Sequence, residues 1–339
     1  MQLTLVLPNL LDVEPDALAA VEAPALARLL ATAAAPAVEP DGTIAFACAG
    51  VGIAKQDDWP VAPWLARAAG IDPGHHYWLC AEPLALQLER DQGRLAGVVS
   101  DLDAVESASL LSSLRAHFAP DGMAFVECRP GRWLAKLEKP QRLETSPPIV
   151  ALGKPIMAHL PRGADAARWR RWQSEMQMLL FEHPVNRSRE SDGRLAVNYV
   201  WMWGGGTLCV PNPDAPAVAL FSSAPLLREL ARAAGRSVEN VPGSFAAFRA
   251  SPPAASSLVW LEDLEPRDLP EQLVAFDSHW AAPLERALDR REIDATLVIG
   301  GSATAISFIP RAMGAVRRLW RRWSPPPNLS RLLTAQTDG

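Results

Sequence analysis

LLFEHPVNRSRESDGRLAVNYVWMWGGG, residues Leu179–Gly206, joins three patterns in one short span. A helical run closes at its start. A polar segment broken by Pro184 follows, and an apolar run, Asn198–Trp203, then ends in Gly204–Gly206. The helical run reaches back to Asp165, with Trp169, Trp172, Met176, Leu179 and Leu180 on one face at the spacing of an amphipathic helix. Asn198–Trp203 is apolar without alternation, as a buried strand is. A helix feeding a buried strand is one unit of an alternating α/β chain.

The same alternation extends outward in both directions. Strands are expected at Leu3–Leu7, Thr43–Ala49, Gly97–Ser100, Ala217–Phe221, Ser257–Leu261 and Ala295–Ile299. Helices are expected at Ala17–Ala35, Trp59–Ala69, Ala108–Phe118, Pro225–Ala234 and Leu269–Leu288, with Gly70 and Gly235 standing just past helix ends. Asp72–Pro83 opens as a turn and becomes an apolar run. Phe125–Leu137 reads as a β-hairpin about Pro130-Gly131, and Pro140–Pro161 is proline-spaced and irregular. The expected fold is α/β, a mostly parallel sheet with helices on both faces.

The chain has 339 residues, 49% hydrophobic and 21% charged, with a net charge of −5. That is enough for one large domain or two smaller ones, each with its own core. The acidic balance gives no global case for nucleic acid as a partner. The apolar runs are short and interrupted, so no transmembrane segment is expected. The opening MQLTLVLPNLLDVEPD lacks the basic residues of a signal peptide, and a cytoplasmic protein is expected. Cys48, Cys80, Cys128 and Cys209 form no CxxC pair and read as separate thiols in a reducing compartment.

His183, Asn186, Arg187 and Arg189 crowd into the polar segment, with Asn198 and Gly204–Gly206 close behind. Such residues bind phosphate or carboxylate through charge-assisted hydrogen bonds, and glycine N–H groups at a strand end can approach an anion. They equally serve to satisfy backbone groups in a long loop and a tight turn. His75-His76 lacks companions at metal-ligand spacing. Asp277 and His279 are two apart in a helical run and point to different sides. No GxSxG, Walker A or GxGxxG motif is present.

The order RWLAKLEK, TSPP, GKPI, LPRG, a helix and then HPVNRSRESDGRLAVNYVWMWGGG resembles the archaeal and bacterial cofactor-independent phosphoglycerate mutases. In that family the succession is an arginine-containing strand, a TPPHD-like segment, a helix ending in HPVN and a tryptophan- and glycine-rich strand. GIDPGHHYWLCAEPLALQLERDQGRL, SSAPLLRELARAAG and NVPGSF continue the likeness, which is most specific at HPVN and WMWGGG. It implies an alkaline-phosphatase-type fold with two divalent metals and a serine nucleophile.

The sequence departs from the family where that chemistry sits. The first strand ends in Leu7-Pro8-Asn9-Leu10 instead of a GDG-type turn. The nucleophile position falls near Val61-Ala62, with only Asp57 and Asp58 close by. A histidine-containing metal motif is replaced by Glu262–Arg267, another by Gly300–Ala303, and Ser146-Pro147-Pro148 leads to Ile149-Val150 where an aspartate belongs. Two-metal phosphoryl transfer needs carboxylates and imidazoles converging on both ions. The chain also resembles a group of proteobacterial regulatory proteins of the regulation-of-pathogenicity-factors type, in its WLCAEP and NYVWMWGGG stretches.

The resemblance therefore implies a catalytically inactive relative with a binding or regulatory role and no cofactor. Its partner would be an unknown protein or a small anionic ligand, and His183, Asn186, Arg189, Asn198 and Gly204–Gly206 would be the remnant pocket or the scaffold around it. One alternative is a metal-dependent phosphomutase or phosphatase taking Mn, Mg or Zn through non-standard ligands: Asp57, Asp58, Glu262, Asp263, Asp277 and His279. Another is an interaction protein working through its C-terminal tail. There Arg317, Arg318, Arg321 and Arg322 interleave with Trp320 and Trp323, a composition suited to a membrane surface or an acidic partner. The expected organisation is a core of 1–106 and 184–310, an inserted subdomain of 107–183 and a tail of 311–339.

Overall fold

The computed structural model describes residues 1–89, 92–211, 218–250, 254–265, 267–312 and 327–337. The chain forms two compact units, Met1–Gly52 with Pro213–Gly339, and Ile53–Asn212. The second unit is wider than the expected 107–183 segment and contains all of it.

The first unit is built on β1 (Gln2–Leu7), α1 (Pro15–Ala19), α2 (Pro24–Ala31), β2 (Ala33–Glu39) and α3 (Gly42–Gly50). The second holds α4 (Val61–Ala68), β3 (Tyr77–Glu89), β4 (Gln92–Val98), α5 (Ala104–Phe118), β5 (Met123–Arg129), β6 (Arg132–Leu137), α6 (Ala166–Phe181), α7 (Pro184–Ser191) and β7 (Tyr199–Gly206). The chain then completes the first unit with β8 (Val218–Ser222), α8 (Pro225–Ala233), α9 (Phe245–Ala250), β9 (Ser256–Trp260), α10 (Leu269–Phe276), α11 (Ala282–Asp289), β10 (Asp294–Gly300) and β11 (Ala305–Pro310).

Six strands of the first unit form one sheet in the order β2-β11-β10-β1-β9-β8. β10, β1, β9 and β8 run parallel, whereas β11 and β2 join antiparallel at one edge. Leu3, Leu5 and Leu7 of β1 enter a core with Leu26, Leu30, Leu273, Trp280 and Leu284 from α2 and the α10–α11 region. On the other face, Gly50 of α3 lies against Leu220 and Leu258, and α8 packs on α3. The sheet is thus covered on both sides, in keeping with the burial of Leu3 and Leu5–Leu7 in β1.

Two expectations in this unit are corrected and a third gains a detail. Thr43–Ala49 is helix α3, not a strand; a short apolar run rich in alanine fits either state, and alanine favours helix. Ala17–Ala35 is two helices and the start of β2. Pro24 cannot continue a helix from Glu22 but suits the first position of α2. Leu269–Leu288 is helical throughout but contains a π-helical turn, Asp277–Ala281, just ahead of Pro283. A proline lacks the N–H of a regular turn, and a π-bulge accommodates it. From this turn the 7% exposed Asp277 accepts from the backbone N–H groups of Ala25 (3.2 Å) and Leu26 (2.7 Å), capping α2 from afar.

The second unit's sheet has the order β4-β3-β6-β5, and β7 also pairs with β3, all antiparallel. The hairpin at Pro130-Gly131 forms as expected. Alternate residues of the sheet, among them Tyr77, Leu79, Ala81, Trp133, Ala135, Val200 and Met202, face Leu110, Leu114, Trp169, Met176 and Leu180 of α5 and α6. The polar segment expected as a loop after α6 is largely helix α7, because Pro184 is placed at its first turn and His183 at its N-cap.

Among the described residues no helix is long and apolar enough to cross a membrane. Cys48 and Cys80 are buried and Cys128 and Cys209 half-buried, and none of the four is in a disulfide. Arg317, Arg318, Trp320, Arg321, Arg322 and Trp323 lie outside the described residues. A helix at Leu329–Thr337 follows them, with Leu329 and Leu333 in the first unit's core.

Candidate functional site

The candidate residues of Leu179–Gly206 all belong to the second unit, and their hydrogen bonds go to the protein itself. Asn186 is 1% exposed. Its amide donates to the carbonyls of Leu180 (2.7 Å) and Val197 (2.8 Å) and accepts from Val197 N–H (2.8 Å). Asn198 does the same with Leu86, accepting from its N–H (2.6 Å) and donating to its carbonyl (2.8 Å). Each side-chain amide imitates a strand's peptide group. Together they fix the chain where it enters β7.

Arg189 is fully buried, and its guanidinium is held by three acceptors. It donates to Leu195 O (2.7 Å), Glu106 Oε2 (2.7 Å) and Asp101 Oδ1 (2.5 Å). Arg194 grips the same two carboxylates from the outside. Glu106 is in turn the third residue of α5's capping box, begun by Asp103. The arginine therefore ties α7 to the N-terminus of α5.

His183 caps α7 by accepting from Val185 N–H at Nδ1 (3.3 Å). The ring proton consequently sits on Nε2, 3.1 Å from Ser113 Oγ. This is the wrong tautomer for taking a proton from Ser113, so the pair is not a nucleophile with its base. Burial holds His183 below its ordinary value, which keeps the ring neutral for its cap.

The glycines end β7 against the start of α4. Gly204 has φ +67°, and a Cβ there would stand 2.9 Å from Val61 Cβ. A Cβ on Gly205 would overlap the Tyr77 hydroxyl, and one on Gly206 the Pro60 ring. Their N–H row already has acceptors. Gly204 donates to Thr145 Oγ1 (2.9 Å), Gly205 to Asp58 Oδ2 (3.2 Å) and Thr207 to Gln56 Oε1 (3.0 Å).

Asp58 is thus central to this strand end, although the sequence marked it only as an acid near Val61 and as a non-standard metal ligand. It is 6% exposed and accepts from the Thr145 hydroxyl and from Trp59 N–H (2.8 Å). Burial pushes its carboxyl up to about 6, against the opposing pull of these hydrogen bonds. Tyr77 Oη is buried there without a partner. Nothing in the local spelling of QDDWP, TSPP or HHYW announces that these three side chains meet.

In the first unit, the carboxyl ends of parallel strands are where α/β sheets bind ligands. After β1, Asn9 donates to Leu264 O (2.9 Å) and accepts from Leu264 N–H (2.8 Å), stapling the segment that follows β9. Asp12 accepts from both the N–H and the hydroxyl of Ser302, each at 2.9 Å. Gly300 closes on Thr43 and Pro8, leaving no space for a Cβ. Asp263, pushed up by burial, feels the charges of Glu265 and Asp12. Of the other acids considered as metal ligands, Asp277 is committed to α2 and Asp58 to β7. Among the described residues no three His, Cys, Asp or Glu side chains are grouped so as to hold a metal ion.

No protein-family model matches the chain. A 107-residue stretch is 40% identical to the 2,3-bisphosphoglycerate-independent phosphoglycerate mutase of Methanothrix thermoacetophila, covering 29% of this chain and 26% of that protein. A 145-residue stretch is 28% identical to the enzyme of the same name from Methanosarcina barkeri, covering 41% of this chain and 36% of that one. The likeness thus spans well under half the length of these relatives. Among solved structures, the cofactor-independent phosphoglycerate mutase of Thermoplasma acidophilum aligns with 92% of this chain at 17% identity, TM-score 0.42. A protein of Pyrococcus horikoshii aligns with 91% at 14% identity, TM-score 0.47.

Proposed function

We propose that this chain is a phosphoglycerate-mutase-like protein of the alkaline-phosphatase type that no longer performs metal-dependent phosphoryl transfer and acts by binding or regulation. The observation that carries the reading is the closure of the strand ends in the first unit. Asn9, Leu264, Gly300 and Ser302 stand where the resemblance puts metal motifs; Asn9 is bonded to Leu264, Ser302 to Asp12, and Gly300 is packed on Pro8 and Thr43. Two-metal chemistry needs several anionic and imidazole ligands converging on each ion. An asparagine amide facing a backbone peptide and a glycine packed against Pro8 and Thr43 do not fit two such ions.

In this reading His183, Asn186, Arg189, Asn198 and Gly204–Gly206 are the retained scaffold of the second unit. Their fit to the protein's own backbone supports that role over a ligand pocket. The alternative is a metal-dependent enzyme that takes Mn, Mg or Zn through Asp57, Asp58, Glu262, Asp263, Asp277 and His279. An assay of phosphoglycerate isomerisation and of phosphatase activity in Mn²⁺, Mg²⁺ or Zn²⁺ separates the two. The expected result is no rate above the protein-free background. Turnover that is lost in Asp263→Asn would establish the enzyme instead.

A further inference from the structure

The segment between β6 and α6 carries no acid and no aromatic residue from position 145 to 164. It forms two 3-10 turns, Pro148–Ala151 and Ile156–His159, and is stitched to β4. Gly153 N–H donates to Leu95 O (3.0 Å), and Arg94 Nη1 donates to Gly153 O (3.0 Å). Val150, Ala151 and Ile156 are buried and anchor the turns. Pro147, Pro148, Pro155 and Pro161 fix φ along the segment and leave it little freedom to collapse.

Between these anchors large apolar side chains point outward. Ile149 and Met157 are 57% and 70% exposed, and Leu152 is exposed as well. Among the described residues twelve large hydrophobic side chains are exposed, and three of the twelve fall within 149–157. Singly such residues need no explanation, whereas a cluster on a stiff segment marks an interaction surface. The charges within the segment are of one sign. Burial, Lys154 and Arg162 together hold the His159 imidazole below its ordinary value, so the two cations stand close to it. Arg94 lies across from Pro155. The flanking acids are Glu144, opposite Arg162, and Asp165, which accepts from Arg142 N–H. On a chain of net charge −5 this segment is a local reversal of sign.

We propose that residues 148–162 dock on an anionic lipid surface, Ile149, Leu152 and Met157 entering its headgroup layer while Lys154, Arg162 and Arg94 face its phosphates. Charge complementarity favours that occupant, since an anionic bilayer attracts basic groups set beside exposed aliphatic side chains. A protein partner fits less well. Protein interfaces are anchored chiefly by aromatic residues and arginines in well-packed pockets, and the side chains exposed here are aliphatic and project from turns. Docking here does not depend on the strand-end closure of the first unit.

Co-sedimentation of the full chain with vesicles of phosphatidylcholine and phosphatidylglycerol in equal parts tests this. Binding is expected there, and little to vesicles of phosphatidylcholine alone. Met157→Asp should weaken it by about tenfold or more, the loss from keeping one such side chain in water. Lys154→Gln should weaken it by about fivefold and lessen its dependence on salt. Both side chains are exposed, so the thermal midpoint is expected to stay unchanged in each variant. No binding to the mixed vesicles, equal binding to both kinds, or binding that survives Met157→Asp would overturn the proposal. A dimer that dissociates in Met157→Asp, with no binding to vesicles, would overturn it in favour of a second copy.

Discussion

Arg189→Met is expected to lower the unfolding free energy by about 3 kcal/mol, seen as a fall in both the thermal and the denaturant midpoint. The guanidinium is fully buried and satisfies the Leu195 carbonyl together with the carboxylates of Asp101 and Glu106. Removing one partner of a buried pair leaves the others desolvated and unpaired, which costs more than the pair contributed. Two features moderate the loss. The Asp101 side chain is 54% exposed, and Arg194 still reaches both carboxylates. Arg194→Met is therefore expected to have a far smaller effect, since exposed ion pairs contribute little. If Arg189 instead served a ligand, its loss would spare stability and abolish stabilisation by added phosphate. An unchanged midpoint in Arg189→Met would contradict the scaffold role.

Gly205→Ala is the second large expected effect, a loss of about 2–3 kcal/mol. The new methyl would overlap the Tyr77 hydroxyl and stand 2.9 Å from Tyr77 Cζ and 3.0 Å from Leu79 Cδ2, in a region with no slack. Tyr77→Phe alone removes a buried hydroxyl that has no partner, and is expected to be neutral or to stabilise by about 1 kcal/mol. In the double variant the worst overlap is gone but the contacts with Cζ and Leu79 remain. Part of the loss should be recovered, giving a favourable coupling of about 1 kcal/mol in the mutant cycle. Strict additivity would mean that Gly205 is required for some reason other than the approach of Tyr77.

How far these features could be read from the sequence follows from the range of the forces involved. β1, β7 and β10 are apolar enough to be legible alone, and α6 carries a regular aromatic stripe. The hairpin about Pro130-Gly131 is set by its turn. Thr43–Ala49 cannot be told from a strand locally because a short, alanine-rich run has no distinguishing period. His183-Pro184 reads as a loop when the proline is taken as a breaker and as a helix start when it is placed at the first turn, and only the latter occurs.

The site was legible only as composition. Asn186 and Arg189 are recognisable as polar groups crowded into one short segment, with Asn198 at the start of the apolar run that follows. Their partners Val197, Asp101, Glu106 and Leu86 are set by tertiary pairing that no local pattern encodes. Asp58, Thr145 and Tyr77 were least visible, since each looks ordinary in its own segment and gains its character only where the three meet. The strand-end closures, Asn9 on Leu264 and Asp12 on Ser302, span over 250 residues of sequence and could be anticipated only as missing ligands.

Metal content of the purified protein, with the thermal midpoint followed on addition of Mn²⁺, Mg²⁺ and Zn²⁺, tests the closure of the strand ends most directly. An ion that binds the folded state raises the midpoint by mass action. The closed arrangement of Asn9, Asp12, Gly300 and Ser302 predicts no ion retained through purification and a midpoint constant to about 1 °C. Tightly held metal, or a rise of several degrees that is lost in Asp263→Asn, would contradict it.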